Sequence, residues 1–446
     1  MERMETRAMA RRIGEKVAAA GGRTYFVGGC VRDRLLGRES KDLDLEVHGI
    51  LPETLAAILD TLGERTMMGR SFGVFGLKQY DLDIAMPCGA DGAWEPFVGE
   101  ETAARRRDMT INAMMEDVLT GEVLDFFDGK AHLEQGILRH VDEETFREDP
   151  LRIFRAARFA SQLGFAVDAE TVALAASMDL SELPRERVFG ELQRVLLEAE
   201  KPSVFFAVLR QMKALSFWFP EVENLIGVEQ DPIHHPEGDV WNHTMAVLDQ
   251  AAELRTQAQQ PLRLMAAALC HDFGKVDATQ IEHGRIRALG HEAAGLPRTE
   301  AFLTRLTGEK RLLRDVQNLV EFHMRPNILA AQGAKAKAMC SLFDRACSPE
   351  ELLLLARADH FGKDHADAYE ATAQFLQDAL ELFRVRMAEP YVMGSDLIAA
   401  GYGPGPVLGE ALDYAHKLRL AGIPKDQALK QVLAEAGKQK NREDKP

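Results

Sequence analysis

Cysteine is scarce in this chain of 446 residues: there are five (Cys30, Cys88, Cys270, Cys340 and Cys347), an odd number without paired spacing. That excludes a disulfide framework and points to a reducing compartment. No apolar run approaches the ~20 residues that a membrane-spanning helix needs. The opening MERMETRAMARRIGEK mixes charges with short apolar steps and lacks the apolar core of a secretory signal. The expected location is therefore the cytoplasm, with no membrane partner. Positive charge is also in deficit, with a formal net charge of −16. Such a balance argues against a broad, nonspecific binder of nucleic acid. An enzyme acting on RNA can still be acidic overall if its lysines and arginines line one concave face. Internal repeats and low-complexity tracts are lacking too.

The 46% apolar content is ample for buried cores, and the length suggests roughly three domains. Up to about residue 145 the periodicity is mixed. Strands are expected at TYFVGG, DLDLEVHG, FGVFGLKQY, LDIAMP and EVLDFF, and helices over 5–20, 31–37, 52–61 and 109–117. From Glu148 onward strand signals nearly vanish, and amphipathic helices follow one another, punctuated by Pro, Gly and Asp. The loop GVEQDPIHHPEGD opens a second helical block that carries most of the histidines. The last residues, GKQKNREDKP, read as a frayed tail.

The most informative run lies between Gly28 and Gly49. GGCVRD ends an apolar strand with two glycines, and DLD follows on the next strand. Residues two apart in a strand share a face, so Asp42 and Asp44 aim at one place. Two such carboxylates beside a glycine turn can hold Mg²⁺ against a triphosphate. The glycines let backbone N–H groups approach phosphate, and the helix start that follows favours negative charge. The bland alternative is a pair of solvated carboxylates beside an Arg32–Asp33 surface ion pair. Asp81 and Asp83 form a second same-face pair in YDLDIAMP, where Asp83 is a candidate third carboxylate and Asp81 a solvated residue.

RRDMTINAM places Arg107 to neutralise phosphate. Asp108 and Asn112, four apart on one helix face, can accept from and donate to a ribose hydroxyl. A capped helix with solvated arginines explains the same residues. In REDPLRIFRAARF, Asp149 and Pro150 start a helix along which Arg152, Arg155 and Arg158 recur every third residue. Cytosine and adenine share an exocyclic amino donor beside a ring-nitrogen acceptor. A carboxylate and a guanidinium read both bases, whereas uracil and guanine reverse the pattern. Asp149 and Arg152 can supply that template, while Arg155 and Arg158 meet phosphates or an internal carboxylate such as Glu148.

GGCVRD, DLD, RRDMTINAM, EDPLR and the later PRERVFGEL, taken together over roughly residues 22–230, closely resemble the class II tRNA nucleotidyltransferases. These are the bacterial CCA-adding enzymes of the poly(A) polymerase superfamily, with a polymerase-beta-like head. The resemblance implies Asp42 and Asp44 as catalytic metal ligands for Mg²⁺. It implies nucleotide contacts from Gly29, Arg32, Arg107, Asp108, Asn112, Asp149, Arg152 and Arg155. One departure is visible. After DIAMP this chain has Cys88 where relatives often carry Arg, so the loop from Cys88 to Glu100 transfers least securely.

VWNHTM, ALCHDFGK and LARADHFGKD contribute His243, His271, Asp272 and Asp359 in an H…HD…D order, which resembles the HD superfamily of metal-dependent phosphohydrolases. Imidazoles with carboxylates suit a divalent transition metal (Ni, Mn, Fe and Co are not distinguished). His291 and His323 lie between these motifs and can complete a second position, whereas His234 and His235, in the entry loop, receive no ligand role. The resemblance implies hydrolysis of phosphomonoesters or 2′,3′-cyclic phosphates. GSDLIAAGYGPGPVLGE resembles the family's tail, which in relatives grips the tRNA elbow.

The expectation is thus an α+β protein. A nucleotidyltransferase head (1–145), with a mixed sheet and helices, precedes an all-helical remainder: a neck (146–228), an HD domain (229–384) and a tail (385–446). Its expected activity is template-independent addition of CCA to the 3′ end of tRNA from CTP and ATP. Poly(A) polymerases and enzymes adding only CC or only A share every motif. A different class, an HD phosphohydrolase with a regulatory nucleotide-binding head, fits less well because both DLD carboxylates are intact.

Overall fold

The helix Glu2–Ala19 and the strand Arg23–Val27 (β1) show how this chain begins to fold. Met9, Ala10, Ile13 and Val17 recur at helical spacing, are buried, and lay the helix over β1. In β2 (Leu43–His48) the period is two instead: Leu43, Leu45 and Val47 enter the core, which leaves Asp44, Glu46 and His48 on the other face. A computed structural model describes residues 2–40, 43–68, 74–89, 93–363 and 369–443.

Five more strands complete the sheet: β3 (Arg65–Met68), β4 (Val74–Leu77), β5 (Tyr80–Ala85), β6 (Met115–Asp117) and β7 (Val123–Leu124). The order is β3-β4-β5-β2-β1-β6-β7, with β2 and β5 parallel and their neighbours antiparallel. Register places Asp44 opposite Asp83 across the parallel pair, so the two carboxylate-bearing strands present one face together.

The α+β expectation holds: a mixed sheet in the head, then helices. Three local readings are corrected. Residues 109–117, expected as one helix, form a 3₁₀ turn (Thr110–Asn112) and then β6. There Met115 pairs with Val27 of β1, and Thr110 N–H donates to Arg139 O, so neighbouring strands override local helix preference. Strand β3 was not anticipated. Nor was the remainder wholly helical: Ile137–Leu138 pairs with Ala166–Val167, and Gln280–Glu282 with Arg285–Arg287.

Two compact units emerge, one from Met1–Glu191 with Val204–Phe217 and one from Leu192–Ser203 with Trp218–Pro446. The first contains the helix Leu151–Leu163, which the left-handed Gly164 ends. The second contains Val240–Leu254, Pro261–Cys270, His291–Leu306, Lys310–Phe322 and Pro349–Phe361. Its interior holds a charged knot. Arg263 grips both oxygens of the fully buried Glu351 (2.6 and 2.8 Å) and reaches Asp315 at 3.2 Å. Among the described residues no helix is long and apolar enough to cross a membrane.

Candidate functional site

In the first unit, β1 gives way to a turn at Gly28, whose φ of 71° and ψ of −138° are open to glycine and strained for other residues. A Cβ there would stand 3.5 Å from both Asp44 Oδ2 and Arg107 Nη1, which places the strand carboxylate and an arginine on either side of the turn. A cleft of about 440 Å³ opens here. Five arginines line it (Arg32, Arg107, Arg152, Arg155, Arg187) against three aspartates (Asp44, Asp108, Asp149). A chain with net charge −16 thus has a cationic cleft. Gly29 and Asn112 lie on its wall, whereas Asp42 lies outside the described residues.

Each side chain is held by a partner. Arg32 donates to Asp33 (2.8 and 2.7 Å) and to Asn112 Oδ1 (2.9 Å), so GGCVRD is tied to RRDMTINAM. Arg107 donates to Glu46 Oε2 at 2.7 Å, and His48 lies 3.0 Å from the same carboxylate's other oxygen. Burial opposes charge on Glu46, but Arg107 and His48 outweigh it and hold its pKa below the ordinary value. Asp108 is buried and accepts from Arg155 (2.7 Å), Asn112 (3.3 Å) and the Met109 N–H (2.8 Å). Although burial disfavours its charge, Arg155 and these bonds bring its pKa down to about 2.

Arg152 donates to the carbonyls of Arg106 (2.6 Å) and Arg107 (3.4 Å), and Asp149 is gripped by Arg187 at 3.1 and 2.7 Å. Arg158 takes the second of its two expected roles, meeting an internal carboxylate rather than lining the nucleotide cleft. It is buried outside the cleft, donating to Glu191 (2.5 Å) and Gln162 (2.7 Å), because the three-residue stripe has drifted round the helix. Glu148, its anticipated partner, instead pairs with Arg106 at 3.1 Å. Sequence reasoning passed over Glu46, Arg187 and Phe159. Glu46 shares the Asp44 face, Arg187 sits inside PRERVFGEL, and the Phe159 ring lies beneath the guanidiniums of Arg32, Arg155 and Arg158 at 5.4, 5.4 and 4.2 Å.

Asp108 makes stability acid-sensitive. Its folded value of about 2 lies below the ordinary 3.8, so its contribution is complete above pH 4 and is lost as pH falls toward 2. The amount is on the order of 2 kcal/mol. Urea midpoints of the protein and of Asp108→Asn are expected to differ most at neutral pH and to converge between pH 4 and 2. A constant gap would refute this.

The second unit gathers histidines. His243, His271, Asp272, His291, His323 and Asp359 are all buried, and His243/His271/Asp272 and Asp272/His291/His323 form two sets with metal-ligand spacing. Asp359 joins through its oxygen 3.0 Å from His243 Nε2. Three rings are oriented alike: Nδ1 of His271, His291 and His323 lies 2.8, 2.8 and 2.7 Å from the carbonyls of Ala268, Ala288 and Val320. A carbonyl can only accept, so each Nδ1 carries the proton and each Nε2 offers a lone pair to the centre. The His291 and His323 Nε2 atoms face each other at 3.3 Å, and where both rings are neutral a cation held between them relieves the opposition of their lone pairs.

Both Asp272 oxygens and His271 Nε2 are buried without a directed hydrogen bond among the described residues. Lys275 Nζ, His271 Nε2 and His291 Nε2 nevertheless come within 2.7, 3.2 and 3.3 Å of that carboxylate. Burial, and then the neighbouring His271 and His291, hold the His323 pKa down at about 3, so its ring is neutral as metal binding requires. This donor set fits a divalent metal.

Gly274 makes the packing possible: a Cβ there would meet His291 O at 2.0 Å. His243 differs from the other rings, with Nδ1 2.8 Å from Glu237 Oε1, an oxygen that lies 2.7 Å from His235 Nδ1. Glu237 was missed, and His235, expected to have no ligand role, forms with Glu237 and His243 a third set with metal-ligand spacing. The PEGD turn in the entry loop was the available signal.

A strand-turn-helix head with a carboxylate-lined cationic cleft, linked to a histidine–aspartate metal centre, defines a nucleotidyltransferase joined to an HD domain. Residues 24–139 match the poly A polymerase head domain, 164–226 the probable RNA and SrmB-binding site of polymerase A, and 240–364 the HD domain. Heads and HD domains of these kinds generally use divalent metals. The chain is 36% identical over 427 residues to the multifunctional CCA protein of Alkalilimnicola ehrlichii, covering 91% of this chain and 98% of that one. It is 37% identical over 440 residues to that of Pseudomonas paraeruginosa (93% and 99% covered). The chain belongs to the family of multifunctional CCA proteins. Its fold is similar to that of the Bacillus stearothermophilus CCA-adding enzyme in complex with CTP (TM-score 0.71, 22% identity, 98% of each chain). It is also similar to the Thermotoga maritima CCA-adding enzyme complexed with tRNA (TM-score 0.66, 19% identity, 96% and 95% covered).

Proposed function

We propose that this nucleotidyltransferase rebuilds the 3′-CCA end of tRNA in the cytoplasm from CTP and ATP, without a nucleic-acid template. The observation that carries the reading is the cleft in which Asp44 faces the Gly28 turn while Asp149 and Arg152 line the same space. The chain's near-complete overlap with multifunctional CCA proteins supports it. In this reading the four-part division at 145, 228 and 384 separates head, neck, HD domain and tail.

Asp42 and Asp44 would hold Mg²⁺, which when bound neutralises charge developing on the α-phosphate and acidifies the attacking 3′-hydroxyl. Arg32, Arg107 and Arg155 counter the remaining triphosphate charge. Asp149 accepts from the amino group of cytosine or adenine, and Arg152 donates to the adjacent ring nitrogen. Two of its five N–H donors already serve backbone carbonyls, which fixes its plane for the others. Uracil or guanine would leave these groups unpaired.

The test supplies tRNA lacking CCA with single labelled nucleotides and sequences the products. One complete CCA per tRNA is expected. Poly(A) tails, or CC or A alone, would replace the reading by its relatives. Asp149→Ala is expected to lose discrimination against UTP and GTP roughly tenfold or more in relative kcat/KM, with a smaller loss of triphosphate affinity. Unaltered preference for CTP and ATP would refute the template role.

The HD centre is read as a phosphohydrolase acting on phosphomonoesters or 2′,3′-cyclic phosphates. Its imidazole-rich donor set favours a transition metal over Mg²⁺, and such an ion when bound supplies a nucleophilic water and Lewis acidity. His243, His271, Asp272 and Asp359 would hold it, with His291 and His323 completing a second position.

A further inference from the structure

A cleft of about 300 Å³ lies beside the histidine centre, lined by Gln230, His234, His235, Lys275, Arg285 and Arg287 among others. Lys275 and His235 connect it to the centre. Lys275 Nζ is 2.7 Å from both Asp272 Oδ2 and Gln230 Oε1, and His235 shares Glu237 with His243. Glu229 and Asp231 also line the cleft, so charge alone does not define it.

Its outer wall is a hairpin, Gln280–Glu282 paired with Arg285–Arg287. His283 and Gly284 both have positive φ (50° and 76°), the backbone of a tight two-residue turn matched to strand twist. The wall is thus pre-shaped. Arg285 and Arg287, two apart, share a strand face and are exposed; Arg287 makes only a long 3.5 Å contact to Glu282.

The rim adds an independent observation. Among the described residues the three most exposed large apolar side chains are Ile233 (79%), Leu289 (75%) and Ile281 (70%). Ile233 adjoins His234 in the entry loop and Leu289 follows Ala288, both next to residues of the cleft wall, whereas Ile281 pairs with Ile286 on the hairpin face opposite Arg285 and Arg287. Ile233 and Leu289, exposed aliphatic side chains adjoining the arginine-bearing wall at the mouth of a buried centre, fit a ligand with flat apolar faces and a phosphate backbone.

We propose that this loop and hairpin form the receiving site for a single-stranded RNA 3′ end that carries a terminal phosphate. Arg285 and Arg287 contact its backbone, and Ile233 and Leu289 support its last bases. This rests on the HD phosphohydrolase reading and deepens it. The site delivers the terminal phosphorus to the centre, where oxygen from water bonds to phosphorus. One P–O ester bond breaks, and the water's proton leaves with the released hydroxyl.

The test compares the full-length metal-loaded protein with R285E/R287E. The readouts are metal content, thermal midpoint, hydrolysis of p-nitrophenyl phosphate and of a short oligoribonucleotide ending in 2′,3′-cyclic phosphate, and anisotropy of a labelled oligoribonucleotide 3′-phosphate. At unchanged metal content and midpoint, KM for the RNA end is expected to rise roughly tenfold or more, well beyond any rise with p-nitrophenyl phosphate, and the salt dependence of RNA binding to flatten. An unchanged KM, or an equal rise for both substrates, would overturn the site. If the native protein hydrolyses neither substrate, the phosphohydrolase reading fails by itself. The anisotropy arm still decides: weaker binding in the variant upholds the receiving site, and equal binding refutes it.

Discussion

Asp44→Ala is expected to lower kcat for nucleotide addition by roughly a thousandfold or more with Mg²⁺, while the unfolding midpoint barely moves. Loss of several kcal/mol of metal-borne charge stabilisation corresponds to that factor. Asp44 is partly exposed on the outer face of β2 and contributes nothing to the core behind it, where Leu43 and Leu45 are buried. Its neighbour Glu46 supplies the contrast. Glu46 is buried between Arg107 (2.7 Å) and His48 (3.0 Å), so its removal strands a guanidinium and costs stability as well as activity. Measuring turnover and urea midpoint on both variants separates the roles. Near-normal turnover in Asp44→Ala would show that the strand carboxylate holds no catalytic metal. The same loss is expected of Asp42→Ala from its place in DLD.

The combined His271→Ala and Asp272→Ala variant is expected to lose its HD metal and with it any phosphatase or phosphodiesterase activity, while CCA addition survives. His271 and Asp272 supply one imidazole and a carboxylate that neighbours every other ring of the centre. Losing both leaves His291 and His323 without a shared anion. In the proposed reading addition uses Asp42 and Asp44 instead, which belong to the other unit. Metal analysis of both purified proteins, beside the two activity assays, checks the outcome. Equal metal content would mean that the histidines are core residues satisfied by carbonyls and carboxylates alone.

The sequence by itself determined a good deal of this protein. The two-residue period of DLDLEVH put Asp44 on a polar face, because any strand alternates its side chains. The glycine pair announced a turn that only glycine adopts, and its φ of 71° at Gly28 is that turn. HD beside spaced histidines named a centre whose members do meet, since metal-ligand chemistry restricts residue type so strongly.

Tertiary structure decided the rest. Arg158 looked equivalent to Arg155 along the helix, yet three-residue spacing rotates it toward Glu191 and away from the cleft. Residues 109–117 had helical character, but only a 3₁₀ turn formed at Thr110–Asn112, and pairing with β1 made Met115–Asp117 strand. Arg187 reaches Asp149 from thirty-eight residues away, and Glu237 reaches His243 across a loop turn. Local sequence carries periodicity and backbone preference. Which cation meets which carboxylate depends on contacts between distant segments, and those exist only once the chain has packed.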